Sequence, residues 1–214
     1  RPNTLHASMK RLFLTSAFNQ VGNSVAAFFS EPVCTTVAFI TTAADVYETK
    51  PWMEADRQTF VDLGFQVADY DIKDTTEERI YSDLKTKDIV FVSGGNTFYL
   101  LYHARKSGFD RAIERMLEEG KPYIGSSAGS ILVGPTIEPT KPLDNAEQAP
   151  KLESFAGLGF VDFVILPHYG AKKYEQRYQA IMEEWSPRVT LLPISDGQLV
   201  VVKGSDYRVV GVRP

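Results

Sequence analysis

Short, wholly apolar runs alternate with longer amphipathic stretches along most of the chain, and this alternation constrains the fold more than any other feature. Residues 12–14, 36–41, 66–70, 88–92, 122–125 and 163–166 read as strands. Pro51 opens a helical stretch with Trp52, Ala55, Thr59, Phe60 and Leu63 at helical spacing and Gly64 as its stop. Residues 75–84, 98–106, 110–119 and 174–185 read as further helices, and short strands follow around 189–192, 199–202 and 208–212. Strands separated by helices of this length need crossover connections, which make a mainly parallel sheet. Strands buried on both faces read as continuous Val, Ile, Leu and Phe runs, as here, rather than as an alternation. The expectation is an α/β fold, a mainly parallel sheet with helices on both faces, formed as one domain over residues 9–214. Met9-Lys10-Arg11 reads as a natural start, and residues 1–8 as an appended leader without an apolar segment or a secretory cleavage site.

Charge and cysteine content narrow the function classes. The formal net charge is −4, and no Lys/Arg run is longer than two residues, so a nucleic-acid partner is not expected. No apolar run approaches the ~18 residues of a membrane span, so no membrane partner is expected and the reading is a cytoplasmic protein. Cys34 is the only cysteine, which excludes an intrachain disulfide and a cysteine-rich zinc site; it reads as a small buried hydrophobe.

Open sheets of this kind bind ligands beyond the carboxyl ends of their strands. Three segments sit there: Ser93–Thr97, Gly125–Gly129 and His168. Gly125-Ser126-Ser127-Ala128-Gly129 fits G-x-S-x-G, in which a serine is held on a strained strand-to-helix turn between small neighbours. The next backbone N–H, that of Ala128, then heads a helix and can face an oxyanion. Ser93-Gly94-Gly95-Asn96-Thr97 is a second glycine turn, where Gly94 or Gly95 can supply another such donor and Asn96 or Thr97 can cap a helix. Of three histidines, His6 lies in the leader and His103 reads as a packed or solvated helix residue. His168, at a strand end, is the candidate general base. An acid to orient it can come from Asp196, after an apolar strand, or from Asp144. Asp144 lies in residues 134–159, a segment with four prolines and no periodicity that reads as an irregular cover or mobile loop.

Taken together, the segments Ser93–Thr97, Gly125–Gly129 and Pro167-His168-Tyr169 resemble the peptidase E family of serine peptidases, relatives of aspartyl dipeptidases and cyanophycinases. Pro135-Thr136-Ile137 and Glu175-Gln176-Arg177 add to the likeness, which runs from about Lys10 to the end. The resemblance implies a flavodoxin-like fold akin to class I glutamine amidotransferases, with serine in place of their cysteine. It implies Ser127 as nucleophile, His168 as base, Gly94 or Gly95 and Ala128 as oxyanion donors, and Asp196 at an acidic position. Two positions depart from the family. An aspartate linked to activity falls on Pro142, near Asp144, and the arginine for a substrate's aspartyl side chain falls on Tyr174, beside Lys172 and Lys173.

The expected function is a serine peptidase of short peptides, acting as a monomer or homodimer, with Asn96, Tyr174 and Lys173 at the substrate. Its chemistry requires no metal and no cofactor. A tyrosine in place of the arginine should cost most of the preference for an N-terminal Asp and broaden or change the selectivity, unless Lys172 or Lys173 supplies the charge. An esterase or amidase on an α/β-hydrolase fold and a non-catalytic binding protein are the alternatives. The first orders its triad serine, acid, histidine, an order that Ser127-His168-Asp196 does not follow and that Ser127-Asp144-His168 would.

Overall fold

A computed structural model describes residues 10–29 and 36–211. The proposed leader and Cys34 lie outside the described residues. Seven strands form the central sheet: β1 (Arg11–Thr15), β2 (Thr36–Ile40), β3 (Gln66–Tyr70), β4 (Ile89–Val92), β5 (Tyr123–Ser126), and two that come later in the chain, β8 (Gln198–Lys203) and β9 (Asp206–Gly211). Their order is β3-β2-β4-β5-β1-β8-β9. The first five run parallel, and β8 and β9 close one side as an antiparallel hairpin. The sheet is thus mainly parallel, as expected. Strands β6 (Phe163–Leu166) and β7 (Thr190–Pro193), however, pair in parallel with each other and form a separate two-stranded sheet.

The pleat sorts the core onto two faces. Leu12, Leu14, Ile40, Val90 and Val92 point to one side, where α3 (Glu77–Leu84), α4 (Thr97–Ser107) and α5 (Phe109–Glu118) add Ile80, Phe98, Leu101 and Ile113. Phe13, Val37, Phe39, Phe91 and Ile124 point to the other side, covered by α1 (Phe18–Ala26) and α2 (Pro51–Asp62) with Phe18, Val21 and Phe60. That second face is aromatic: Phe18 stacks on Phe60 at 4.2 Å and meets Phe91 edge-on at 5.1 Å. The remaining helices are α6 (Ala128–Ile131) and α7 (Glu175–Trp185), the latter packing Tyr178 and Ile181 on Val164 and Leu166 of the small sheet. No helix among the described residues is long and apolar enough to cross a membrane.

Two regions differ from the sequence expectation. Helix α1 carries Asn19, Gly22, Asn23 and Ser24, all poor helix formers, and has no local start signal. Its buried stripe of Phe18, Val21, Gly22 and Val25 against the sheet overrides that propensity. The segment 134–159 is irregular but built. It carries 3-10 turns at Glu138–Thr140 and Ala146–Gln148 and a bridge between Thr136 and Ala156, and it buries Ile137 and Thr140 completely. Arg105 of α4 ties it down through the carbonyls of Ser154 and Ala156.

Candidate active site

The carboxyl ends of β1, β4, β5 and β6 open into one cleft of about 340 Å³, the size of a small-ligand site. Ser127 follows β5 with φ 50° and ψ −106°, a conformation that costs a non-glycine residue on the order of 1–3 kcal/mol. The packing around it shows why the flanking glycines are there. A Cβ on Gly129 would lie 2.2 Å from the carbonyl oxygen of Val92, and one on Gly125 2.6 Å from the backbone of Gly129. Only bare backbone lets the turn sit this close to β4, and the Ser127 N–H then bonds the carbonyl of Thr15 at 3.0 Å. Ala128 begins α6, where the first N–H groups of a helix lack intrahelical acceptors.

His168 follows β6 and also has positive φ, 61°. Its Nε2 lies 3.1 Å from Ser127 Oγ, and its Nδ1 lies 2.7 Å from Asp196 Oδ1. The Asp196 carboxyl is held below the ordinary carboxylate range, first by this hydrogen bond to His168, against the opposing effect of burial, and further by Ser16. An ionised Asp196 can only accept, so Nδ1 carries the ring proton and Nε2 presents its lone pair to Ser127. Of the two candidate acids, Asp196 is therefore the one that meets the imidazole. Asp144 does not: its Oδ2 accepts the Thr97 N–H at 2.9 Å and the Thr97 hydroxyl at 2.6 Å, and burial raises its pKa. It anchors the 134–159 segment on the start of α4, and with Leu143 it lines the cleft.

Asn96 is a second correction. Expected at the substrate, it is 1% exposed and turned to the backbone: Oδ1 caps α4 by accepting from the Tyr99 N–H, and Nδ2 donates to the carbonyl of Asn145. Its neighbours Gly94 and Gly95 do line the cleft. Gly95 has φ 150°, and a Cβ there would overlap the Ala43 carbonyl at 2.1 Å. A Cβ on Gly94 would stand 3.3 Å from that of Ser127, which places this turn directly over the serine. Tyr174 and Lys173 line the cleft too, with the Tyr174 ring 6.0 Å from that of His168 and Lys173 Nζ over the tyrosine face at 4.6 Å. His103, between Tyr99 and Tyr102 on α4, is away from it.

Two polar residues of the site were not singled out in the sequence. Ser16, just past β1 and fully buried, accepts the His168 N–H at 2.6 Å and donates to Asp196 Oδ1 at 2.6 Å, so one hydroxyl spans histidine and acid. Asp56, on α2, lines the cleft and takes the Asn19 N–H at 2.9 Å. Burial pushes its carboxyl up to about 7, against the lowering effects of Asn19, Ser126 and His168. Ser16 had a signal, its place after an apolar strand; Asp56 had one too, a carboxylate on the apolar stripe of its helix, four residues from both Trp52 and Phe60.

Known proteins resemble the chain over nearly its whole length. The sequence profile of peptidase family S51 matches residues 10–210. An uncharacterized peptidase of Listeria monocytogenes is 34% identical over 198 residues, 92% of this chain and 97% of that protein. Peptidase E of a Nostoc species is 27% identical over 217 residues, 94% of this chain and 86% of its own length. A solved structure from Listeria monocytogenes EGD-e, named for peptidase E, superposes with a TM-score of 0.89 at 33% identity, covering 96% of this chain and all of that one.

Proposed function

The chain belongs to peptidase family S51 and is a serine-type peptidase, and from that premise we propose that it hydrolyses short peptides through Ser127, His168 and Asp196. The observation that carries the reading is the unbroken hydrogen-bonded series from Ser127 Oγ to His168 Nε2 and from Nδ1 to Asp196, with the serine on a strained elbow. Ser127 attacks the scissile carbonyl while His168 takes its proton. The imidazolium so formed is stabilised by Asp196 and returns the proton to the leaving amine. Backbone N–H groups of Ala128 and of Gly94 or Gly95 receive the oxyanion. Water then attacks the acyl-serine by the same route in reverse roles.

Residue order separates this from an α/β-hydrolase, whose acid precedes its histidine: here the acid that meets the imidazole, Asp196, follows it. The cleft's size favours a short peptide. Among the described residues no arginine lines the cleft to meet an N-terminal aspartate. Tyr174 stands at that position, and the other ionisable side chains of the cleft besides His168 and Lys173 include two carboxylates, Asp56 and Asp144. The test is a dipeptide-library digest read by mass spectrometry, with fluorophosphonate labelling in parallel. Labelling and cleavage are expected in the native chain and absent in Ser127→Ala, with Asp-Leu cleaved no faster than Asn-Leu. Persistence of either in Ser127→Ala removes the nucleophile. A binding protein that kept the fold would show neither in the native chain, and a 30-fold preference for Asp-Leu would place a cation in the pocket.

A further inference from the structure

Phenylalanine fills the wholly buried aromatic positions among the described residues, with one exception, Tyr123 on β5. Tyr178 on α7 is nearly as buried, at 3% exposure. A phenol hydroxyl taken out of water costs free energy unless it finds a partner. Burial raises the pKa of both tyrosines, so each hydroxyl keeps its proton and can donate it. Both donate to main-chain carbonyls beside the proton path. The Tyr123 hydroxyl bonds the Gly129 carbonyl at 2.6 Å, and the Tyr178 hydroxyl bonds the carbonyl of Pro167.

Those carbonyls stand at the two strained turns, for Ser127 and His168 both have positive φ. Gly129 is the second residue of α6, a helix of about one turn. The carbonyls of Ser127 and Ala128 take the N–H groups of Ile131 and Leu132, whereas that of Gly129 takes the Tyr123 hydroxyl. On the other side of the same peptide, the Ser130 N–H bonds the Ser127 carbonyl at 2.9 Å. This peptide is held from both sides, and with it the turn that Ala128 opens. The peptide between Pro167 and His168 is held in the same way. Its carbonyl accepts from Tyr178, and its N–H donates to Ser16 Oγ at 2.6 Å. A planar peptide pinned at both polar atoms leaves little freedom to the φ beside it. Positive φ at a side-chain-bearing residue persists only where the surroundings over-determine it.

We propose that Tyr123 and Tyr178 are positioning residues of the Ser127–His168 pair, each locking with its hydroxyl the strained backbone of one member. This rests on the peptidase reading and deepens it: β5 supplies the clamp for the nucleophile and α7 the clamp for the base. The consequence falls on the turnover of each folded molecule, not on how many molecules fold. Fluorophosphonate labelling run to completion counts the active sites, and kinetics with Ala-Leu then give kcat per site. Tyr123→Phe and Tyr178→Phe each remove one oxygen and keep the ring. Each is expected to lower kcat per site about tenfold with KM nearly constant, the effect of losing one aligning hydrogen bond. 4-Aminophenylalanine at either position keeps a donor and should recover most of the native kcat per site. A tyrosine that only supports the fold would lower the Tm and the number of sites and leave kcat per site native, and that result overturns the proposal. So does an amine variant as slow as the phenylalanine one. Should one phenylalanine variant not fold, the other decides; failure of both to fold assigns the hydroxyls to the fold and also overturns the proposal. A native chain that takes no label and cleaves nothing fails the peptidase reading itself, a result distinct from full turnover per site in the variants.

Discussion

On one side of the cleft, Ser127, His168 and Asp196 touch one another through hydrogen bonds of 3.1 and 2.7 Å. On the other, Asp56, Trp52 and Asp144 touch mostly backbone: the Asn19 N–H, the Gly94 carbonyl and the Thr97 N–H. The first group is a proton path, in which each member sets the protonation state of the next. The second is a set of fixtures, each tied to a different element and leaving one surface toward the cavity. Chemistry needs mutual geometry among a few atoms; recognition needs separate groups held still around an empty volume. Disturbing one member should therefore spread through the first group and stay local in the second.

The largest test of that contrast sets the two acids against each other. Asp196→Asn should cut kcat by as much as ~10⁴, as for the triad aspartate of the chymotrypsin-like proteases, because an amide can donate to Nδ1 and stabilise the wrong tautomer. Asp144→Asn should change kcat less than tenfold, since the amide oxygen can still accept from Thr97 and no proton path runs through it. Steady-state kinetics on one dipeptide decides it; comparable losses in the two variants would erase the distinction between the two sides.

The same contrast explains what could be read from the chain. Ser127, His168, Gly94 and Gly95 follow strand ends, where turn chemistry demands glycine or a small residue and leaves a visible mark. Asp196 carried the same mark, after β7. The sheet was legible because buried parallel strands are continuous apolar runs. What could not be read was placed by distant contacts. Asn96 was legible as a helix cap, but not as buried away from the substrate: the 134–159 segment folds back so that the Asn145 carbonyl takes its side-chain amide. Asp144 was drawn to Thr97 by the same fold-back. Helix α1 has no local signature because the aromatic face of the sheet, not its own residues, makes it a helix. Asp56 stood on the apolar stripe of α2, but its partner was not readable, because the Asn19 N–H comes from α1, a different part of the chain.

Ser16 should produce a smaller effect than Asp196, on the same side. Its hydroxyl fixes the His168 backbone and one oxygen of Asp196, but no proton in transit crosses it. A hydrogen bond to a charged group contributes roughly 1.5–3 kcal/mol, so Ser16→Ala should lower kcat about 10- to 100-fold with KM nearly constant. Ser16→Thr, if the methyl is accommodated, should recover most of it. A mere packing role would show as a lower Tm with kcat intact, and would end the claim that Ser16 positions the imidazole.

The smallest expected effect concerns the stability of the recognition side. In the folded chain the Asp56 carboxyl titrates at about 7, raised above its ordinary value of 3.8 mainly by burial, with Asn19, Ser126 and His168 opposing. Between about pH 4 and 7 the folded state holds a proton that the unfolded state has released. Stability from this group is therefore greatest below the unfolded pKa and is lost as pH rises through the folded one. The loss is at most roughly 4 kcal/mol at 1.36 kcal/mol per unit, and less where the structure relaxes. The N-terminus of α1 works the other way, favouring the anion by up to ~2 kcal/mol in partly buried sites. Burial outweighs it, so Asp56→Asn should gain on the native chain as pH rises. At roughly 2–4 °C per kcal/mol for a chain of this size, the difference in Tm between variant and native should grow by at least ~3 °C from pH 5 to pH 8. Thermal melts at the two pH values measure it directly. A difference that stays constant would mean that Asp56 is ionised throughout, its charge already met by the helix end, and the cleft would then lack the uncompensated acid that distinguishes its two sides.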